Sequence, residues 1–135
     1  MDLTKALLVS ASGLEAQGKR MRVIAENIAN ANSTSGENGL PYRRKVISFR
    51  NEFDRQAGVD VVAVDRIGLD RSEFGKKYDP GHPYADANGF VLTSNVKALI
   101  ETQDMREAQR SYEANLNMIA VTKQMLKETI DLLRN

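Results

Sequence analysis

From Phe90 to Asn135 the chain contains neither glycine nor proline, and its apolar residues fall on two faces of one helix. One seam runs through Ala98, Met105, Tyr112, Ile119, Leu126 and Leu133, one residue every seven. Leu116 and Ile130 widen this face. The other runs through Ala114, Met118, Val121, Met125 and Leu132 on a four-three rhythm interrupted at Glu128. At about 100° per residue the second seam lies nearly opposite the first. A surface helix of a monomer needs one apolar stripe, so a helix with two opposed stripes needs two sets of neighbours. Its length, about 60 Å, is some three times that of an average globular helix. A compact chain of 135 residues has a radius of gyration of about 14 Å. Much of this apolar surface must therefore meet other chains.

The N-terminal segment carries a matching pattern. Leu7, Ala11, Leu14, Gly18, Met21, Ala25 and Ile28 alternate spacings of four and three, the seam of a coiled coil. The large residues Leu7, Leu14, Met21 and Ile28 recur every seven, and the small ones between them admit a close neighbour. Gly18 costs about 1 kcal/mol of helix propensity relative to alanine, which points to a packing role. Asn27, Asn30 and Asn32 close the segment. Asparagine tolerates the left-handed backbone that ends helices and can bond its own backbone there.

All nine Gly and all three Pro lie before Phe90. The chain reads as an N-terminal helical region, 1–32, an irregular β-rich middle, 33–94, and a C-terminal helix, 95–135. The fold class is mainly α with a small β-rich middle. Two opposed seams on the last helix imply one neighbour within the subunit and one outside it. Lys45–Phe49, Val59–Val64 and Phe90–Leu92 are expected strands, rich in Val, Ile and Phe. Asp79-Pro80-Gly81 is a turn in which Pro presets the first corner and Gly takes a positive φ at the second.

Composition narrows the chemistry. There is no Cys and one His, which excludes disulfides, thiolate metal sites and a cysteine nucleophile. Lys and Arg total 19 against 18 for Asp and Glu, and the signs balance in each region. Binding to a nucleic-acid backbone is therefore not expected. No stretch approaches the roughly 20 apolar residues of a membrane helix. Asp2 and the scattered charges after it do not make a secretory signal, and no membrane insertion is expected. No nucleophile-and-base arrangement is evident, so no enzyme is expected.

Two clusters could carry other chemistry. Asp79, His82 and Asp86 could present three ligands to a metal, but they straddle two prolines with no second His. The expected reading is a solvated turn, without metal or cofactor. Arg43, Arg44, Lys45 and Arg50, with Tyr42 and Phe49, form the one basic-aromatic cluster. A charged strand edge explains it without nucleic acid, and a contact between subunits remains open.

The motifs point to a family. Ser10-Ala11-Ser12-Gly13-Leu14, then Glu26-Asn27-Ile28-Ala29-Asn30-Ala31-Asn32-Ser33, resembles the N-terminal signature of bacterial flagellar rod and hook proteins. Pro41-Tyr42-Arg43, Tyr78-Asp79-Pro80-Gly81-His82-Pro83, Gly89-Phe90-Val91 and Asn95-Val96 are similar to the middle of its proximal-rod branch. So is the tail with Asp104-Met105, Tyr112-Glu113-Ala114-Asn115 and Lys123-Gln124-Met125. The resemblance covers nearly the whole chain. Ser94 departs from it where Pro is expected, and Ser33 stands where Thr is common.

The resemblance implies a structural subunit of the rod in the flagellar basal body, assembling helically around an export channel and transmitting torque through the periplasm. The terminal helices would pair as a coiled coil and form the inner tube, and the middle segment would pack outside it. Partners would be copies of the chain, other rod proteins, the surrounding rings and the export apparatus. Export would use the flagellar type III route without a cleaved signal peptide. Packing residues would be Leu7, Leu14, Gly18, Met21 and Ile28, with Asn27, Asn30 and Asn32, on the first helix. On the second they would be Met105, Tyr112, Asn115, Met118, Ile119, Val121, Met125, Leu126, Leu132 and Leu133. The alternative is a soluble coiled-coil adaptor or export chaperone, which would not need two opposed seams. With half the apolar surface unburied, both terminal helices are expected to be largely unfolded in the free subunit.

Overall fold

The structure is a computed structural model, and it describes residues 2–135. Two long helices flank a small β region: α1 (Leu3–Ala29), β1 (Lys45–Asp54), β2 (Val59–Leu69), β3 (Gly75–Tyr78), β4 (Phe90–Thr93) and α2 (Ala98–Arg134). β1 and β2 form one two-stranded sheet, β3 and β4 another. In the latter Gly75 lies opposite Thr93 and Tyr78 opposite Phe90, antiparallel. The expected strands are present and longer. β3 carries no sequence signal of a strand, since Gly75-Lys76-Lys77-Tyr78 is exposed throughout and shows no alternation.

Local chemistry sets the element ends. Asp2 caps α1, its carboxylate accepting the Thr4 N–H at 3.0 Å. No described residue other than glycine has a positive φ. The asparagines after α1 therefore do not end it by a left-handed turn. Instead the Asn30 N–H bonds the Glu26 and Asn27 carbonyls, both at 3.2 Å, and its side-chain amide reaches the Glu26 carbonyl at 2.8 Å. Asp79-Pro80-Gly81-His82 is a turn, closed by the His82 N–H on the Asp79 carbonyl at 3.1 Å. Gly81 is not at positive φ, contrary to the sequence expectation; Gly89, at φ 85°, is the residue that needs it. Before α2, the Ser94 N–H bonds the Ser33 carbonyl at 3.1 Å, and its hydroxyl accepts the Val96 N–H at 3.2 Å. Proline at this position could make neither bond.

The chain divides into two compact units. The first comprises Met1–Met21, Ser48–Arg66 and Arg106–Asn135. In it Ser10, Ala16, Ala108 and Thr122 are buried. The Ser12 hydroxyl accepts the Val62 N–H at 3.1 Å and ties the hairpin to α1. The second comprises Arg22–Ile47 and Ile67–Met105. Its core is Val23, Ile24, Val91 and Val96, joined by buried Asn27, Ser35, Ser94, Asn95 and Glu101. These five buried polar residues stand against four apolar ones, and every buried polar group must find a partner. Among the described residues all buried side-chain N and O atoms do.

Candidate functional site

Two features could serve a function: the faces of the helices, and the polar cluster of the second unit. The covered line on α2 passes through Glu101, Met105, Ala108, Tyr112, Asn115, Ile119, Thr122 and Leu126, each at least half-buried. The spacings alternate four and three. It follows the first seam from Met105 to Leu126, whereas Ala98 and Leu133 at its ends, and the flanking Leu116 and Ile130, are exposed. The opposed seam lies bare, with Met118 53% exposed, Val121 55%, Met125 48% and Leu132 78%.

On α1 the covered line is not the one the apolar spacing indicates. Leu7, Leu14, Gly18 and Met21 are half-buried, whereas Ala11, Ala25 and Ile28 are exposed. The most buried residues are Ser10, Ala16, Val23, Ile24 and Asn27, one to two positions earlier in each repeat. The covered line is part polar, so counting apolar residues alone misplaced it.

Within the subunit the glycines of α1 differ in how closely α2 approaches them. A β-carbon at Gly18 would meet only the Tyr112 ring, at 3.9 Å, an ordinary contact. The close approach is at Gly13, where a β-carbon would lie 2.9 Å from Asn115 Nδ2 and 3.0 Å from its Oδ1. Nearby in the same unit Arg20 approaches Glu107 at 3.7 Å.

In the second unit the asparagine signature has a use that its helix-ending reading missed. Asn27 lies inside α1 and is 1% exposed. Its Oδ1 accepts the Lys45 N–H at 2.9 Å and the Tyr42 hydroxyl at 2.7 Å. Its Nδ2 donates to the Lys45 carbonyl at 2.9 Å and to Glu101 Oε2 at 3.3 Å. All the hydrogen-bonding capacity of one amide is thus spent joining α1, the start of β1 and α2. Asn32 is exposed and takes no part.

Of the basic cluster, Arg43, Arg44 and Lys45 bond within the second unit, whereas Arg50 is exposed and pairs with Glu52 at 3.3 Å. Arg44 donates through Nε to Glu101, which is 1% exposed, and through Nη1 to Asp70 at 3.3 Å; Nη2 lies 3.7 Å from Asp104. Burial disfavours its charge, but bonds and attraction from Glu101, then Asp70, outweigh this and hold its pKa above the ordinary value. Asp70 is held below the ordinary carboxylate range, first by the Ser72 N–H and hydroxyl, then by Arg44. Burial raises the Tyr42 pKa. Arg43 bonds the Asp70 and Ser72 carbonyls at 2.8 and 3.0 Å and stacks over Phe74 at 4.2 Å. Lys45 pairs with Glu26 at 2.9 Å. Asn95 completes the cluster, accepting the Arg44 N–H at 2.7 Å and donating to the Asp70 carbonyl at 3.0 Å. Sequence reasoning missed Glu101 and Asn95. Glu101 could have been found, since it falls four residues before Met105 on the covered seam.

Around His82 the structure shows a turn. The Tyr84 N–H donates to His82 Nδ1 at 3.1 Å, so Nε2 carries the proton and faces the Thr34 hydroxyl at 3.2 Å. Asp86 Oδ1 accepts the Asn88 and Phe90 N–H groups, both at 2.9 Å. Among the described residues no group of three His, Asp or Glu is placed to hold a metal. His82→Gln is expected to leave the metal content of purified protein unchanged and to cost no more than about 1.5 kcal/mol, the loss of one hydrogen bond. Elemental analysis and urea unfolding check both; stoichiometric metal that the substitution removes would contradict the turn reading.

Among the described residues these two features build tied backbone and bare apolar helix. No helix of the described residues is long and apolar enough to cross a membrane. Comparison with known proteins agrees with this structural character. Residues 7–36 match the family model for flagella basal body rod proteins, and residues 87–132 that for the C-terminal part of flagellar basal body rod FlgEFG proteins. Over 98% of its length the chain is 50% identical to the flagellar basal-body rod protein FlgC of Agrobacterium fabrum, covering 96% of that protein. It is 37% identical to FlgC of Salmonella typhimurium and 36% identical to FlgC of Bacillus subtilis, covering 98% and 99% of them. With identity sustained over both helices and the β region between them, the chain belongs to the FlgC family of flagellar basal-body rod proteins.

Proposed function

We propose that the chain is a subunit of the proximal rod that packs through its terminal helices, covering one seam of α2 within the subunit and offering the other to its neighbours. The family is structural and not enzymatic, and its members' full-length match leaves no place for the adaptor alternative. The observation that carries the packing reading is the bare seam of Met118, Val121, Met125 and Leu132 opposite a covered one. Burying each such side chain is worth about 1.5–3 kcal/mol, a gain open only on assembly. Within the first unit, the contacts of Gly13 with Asn115, Gly18 with Tyr112 and Arg20 with Glu107 support an antiparallel coiled-coil pairing. In this reading 1–32 and 95–135 form the inner tube around the export channel and 33–94 packs outside it. The subunit reaches the periplasm by flagellar type III export, uncleaved, contacts the surrounding rings and transmits torque.

A photo-reactive amino acid tests this in flagellated cells. Placed at Met118 or Met125, it is expected to capture a second copy or another rod protein. Placed at Ala108, which is wholly buried, it should give no product between subunits. Capture at Ala108 alone would mean that the outward face has been misassigned.

A further inference from the structure

A four-three apolar seam repeats every seven residues, so by itself it fits a partner helix equally well at offsets one heptad apart. Two pairs in this chain break that equivalence. In the first unit the Asn115 amide sits on Gly13, close enough that any β-carbon there would lie 2.9 Å from Nδ2. Its Nδ2 is held by the Ser111 carbonyl at 3.1 Å, so the amide does not turn away freely. One heptad along α1 in either direction stand Ala6 and Arg20, both with β-carbons. In the second unit Asn27 donates to Glu101, each 1% exposed. A heptad's slip would set Asn27 against Ala108 and leave Glu101 without its amide donor. Gly13 and Asn27 are two heptads apart on α1, and Glu101 and Asn115 are two heptads apart on α2. Both pairs therefore specify the same offset.

We infer that Gly13–Asn115 and Asn27–Glu101 are register marks, which confine α1 and α2 to one axial offset that their apolar seams alone do not select. Their role is positioning: they fix which residues of the bare α2 seam a neighbouring subunit meets. Steric exclusion does this at Gly13 and the cost of an unpaired buried polar group does it at Glu101. The inference rests on the reading that α1 and α2 pair lengthwise.

The absence of cysteine makes the test direct. Arg20→Cys with Glu107→Cys reports the observed register, since those side chains approach to 3.7 Å. Arg20→Cys with Ala114→Cys reports a slip of one heptad. Purified subunit carrying either pair is treated with a short bismaleimide. Without further change, the Glu107 pair is expected to give at least about tenfold more product than the Ala114 pair. In a Gly13→Ala, Asn115→Leu, Glu101→Leu background the slipped product should rise to a comparable yield. Glu101→Leu leaves Arg44 bonded to Asp70 and near Asp104, and Asn27 bonded to Tyr42 and Lys45, so no buried partner is orphaned. A triple variant that still gives only the observed register overturns the inference. Comparable products in the unaltered background overturn it too, while leaving the pairing intact. Neither product in that background would defeat the pairing reading itself. If circular dichroism shows the triple variant has lost its helices, the Gly13→Ala, Asn115→Leu variant is read instead. Slipped product must then rise above the unaltered background, and no rise overturns the role of Gly13–Asn115.

Discussion

Arg44→Ala is expected to destabilise the subunit by about 3–5 kcal/mol, the cost of leaving a buried charge without its partner. Glu101 is 1% exposed and accepts from Arg44 and, at 3.3 Å, from the Asn27 amide. Removal of the guanidinium leaves that carboxylate with one neutral donor. A loss of this size is a large part of the 5–15 kcal/mol that holds a typical domain folded. The reverse change should be far milder. In Glu101→Leu, Arg44 keeps Asp70 and Asp104 and its partial contact with water. An apolar group in place of a buried charge is often neutral. Arg44→Lys should not rescue the fold, because three nitrogens of one planar group reach three carboxylates and one ammonium cannot. Urea unfolding of the purified subunit measures all three variants. Equal losses for Arg44→Ala and Glu101→Leu would show that the pair is not the buried tie its geometry describes.

The same cluster gives the fold an acid limit. Asp70 is held below its ordinary pKa by Ser72 and then by Arg44. A carboxyl lowered in the folded state contributes stability that is complete above the ordinary carboxylate range. That contribution is lost as pH falls through the lowered folded value. Unfolding scans of the Arg44→Ala variant should show a shallower decline over that acid window than the parent, because one of the two causes of the lowering has gone.

The helices were legible because their repeats are long and uninterrupted. Residues 95–135 carry no Gly or Pro, and the bare seam of Met118, Val121 and Met125 could be named without a structure. The covered line of α1 was not legible. Ser10, Ala16 and Asn27 are small or polar, and burial of a polar residue depends on a partner distant in sequence. Asn27 illustrates this: its value comes from Tyr42, Lys45 and Glu101, and the longest of these connections spans 74 residues. Arg44 read as a solvated edge for the same reason, since nothing near it in sequence announces Asp70 or Glu101. Gly13 carries no such signal: Gly18 alone falls in the small-residue rhythm with Ala11 and Ala25, and it is the position of Asn115 on α2 that makes Gly13 the close approach. β3 escaped because an exposed four-residue strand has no pattern to find.

In a dilute, verified monomer, the amides of residues 127–134 are expected to exchange with almost no protection, while those from Ala108 to Thr122 are clearly slowed. The sequence alone suggests a wider loss of structure over both terminal helices. The burial of Ala108 and Thr122 narrows it. Up to Thr122 the covered line returns at each repeat, so opening α2 there exposes side chains that were out of water. Beyond Leu126 every residue is exposed, including Ile130, Leu132 and Leu133. Ordering each residue costs about 1–2 kcal/mol of backbone entropy, and the last two turns of α2 return no burial against it. A helical end without tertiary contacts frays, because isolated helices shorter than about 12–15 residues are marginal in water. Assembly changes the balance: once a neighbour covers Leu132 and Met125, the same amides should gain protection, and the gain should be largest at the end of the helix. Hydrogen exchange with mass-spectrometric readout on the monomer and on assembled rods makes the comparison. Strong protection of residues 127–134 in the monomer would show that this end is ordered without a neighbour, and the coupling of its folding to assembly would have to be abandoned.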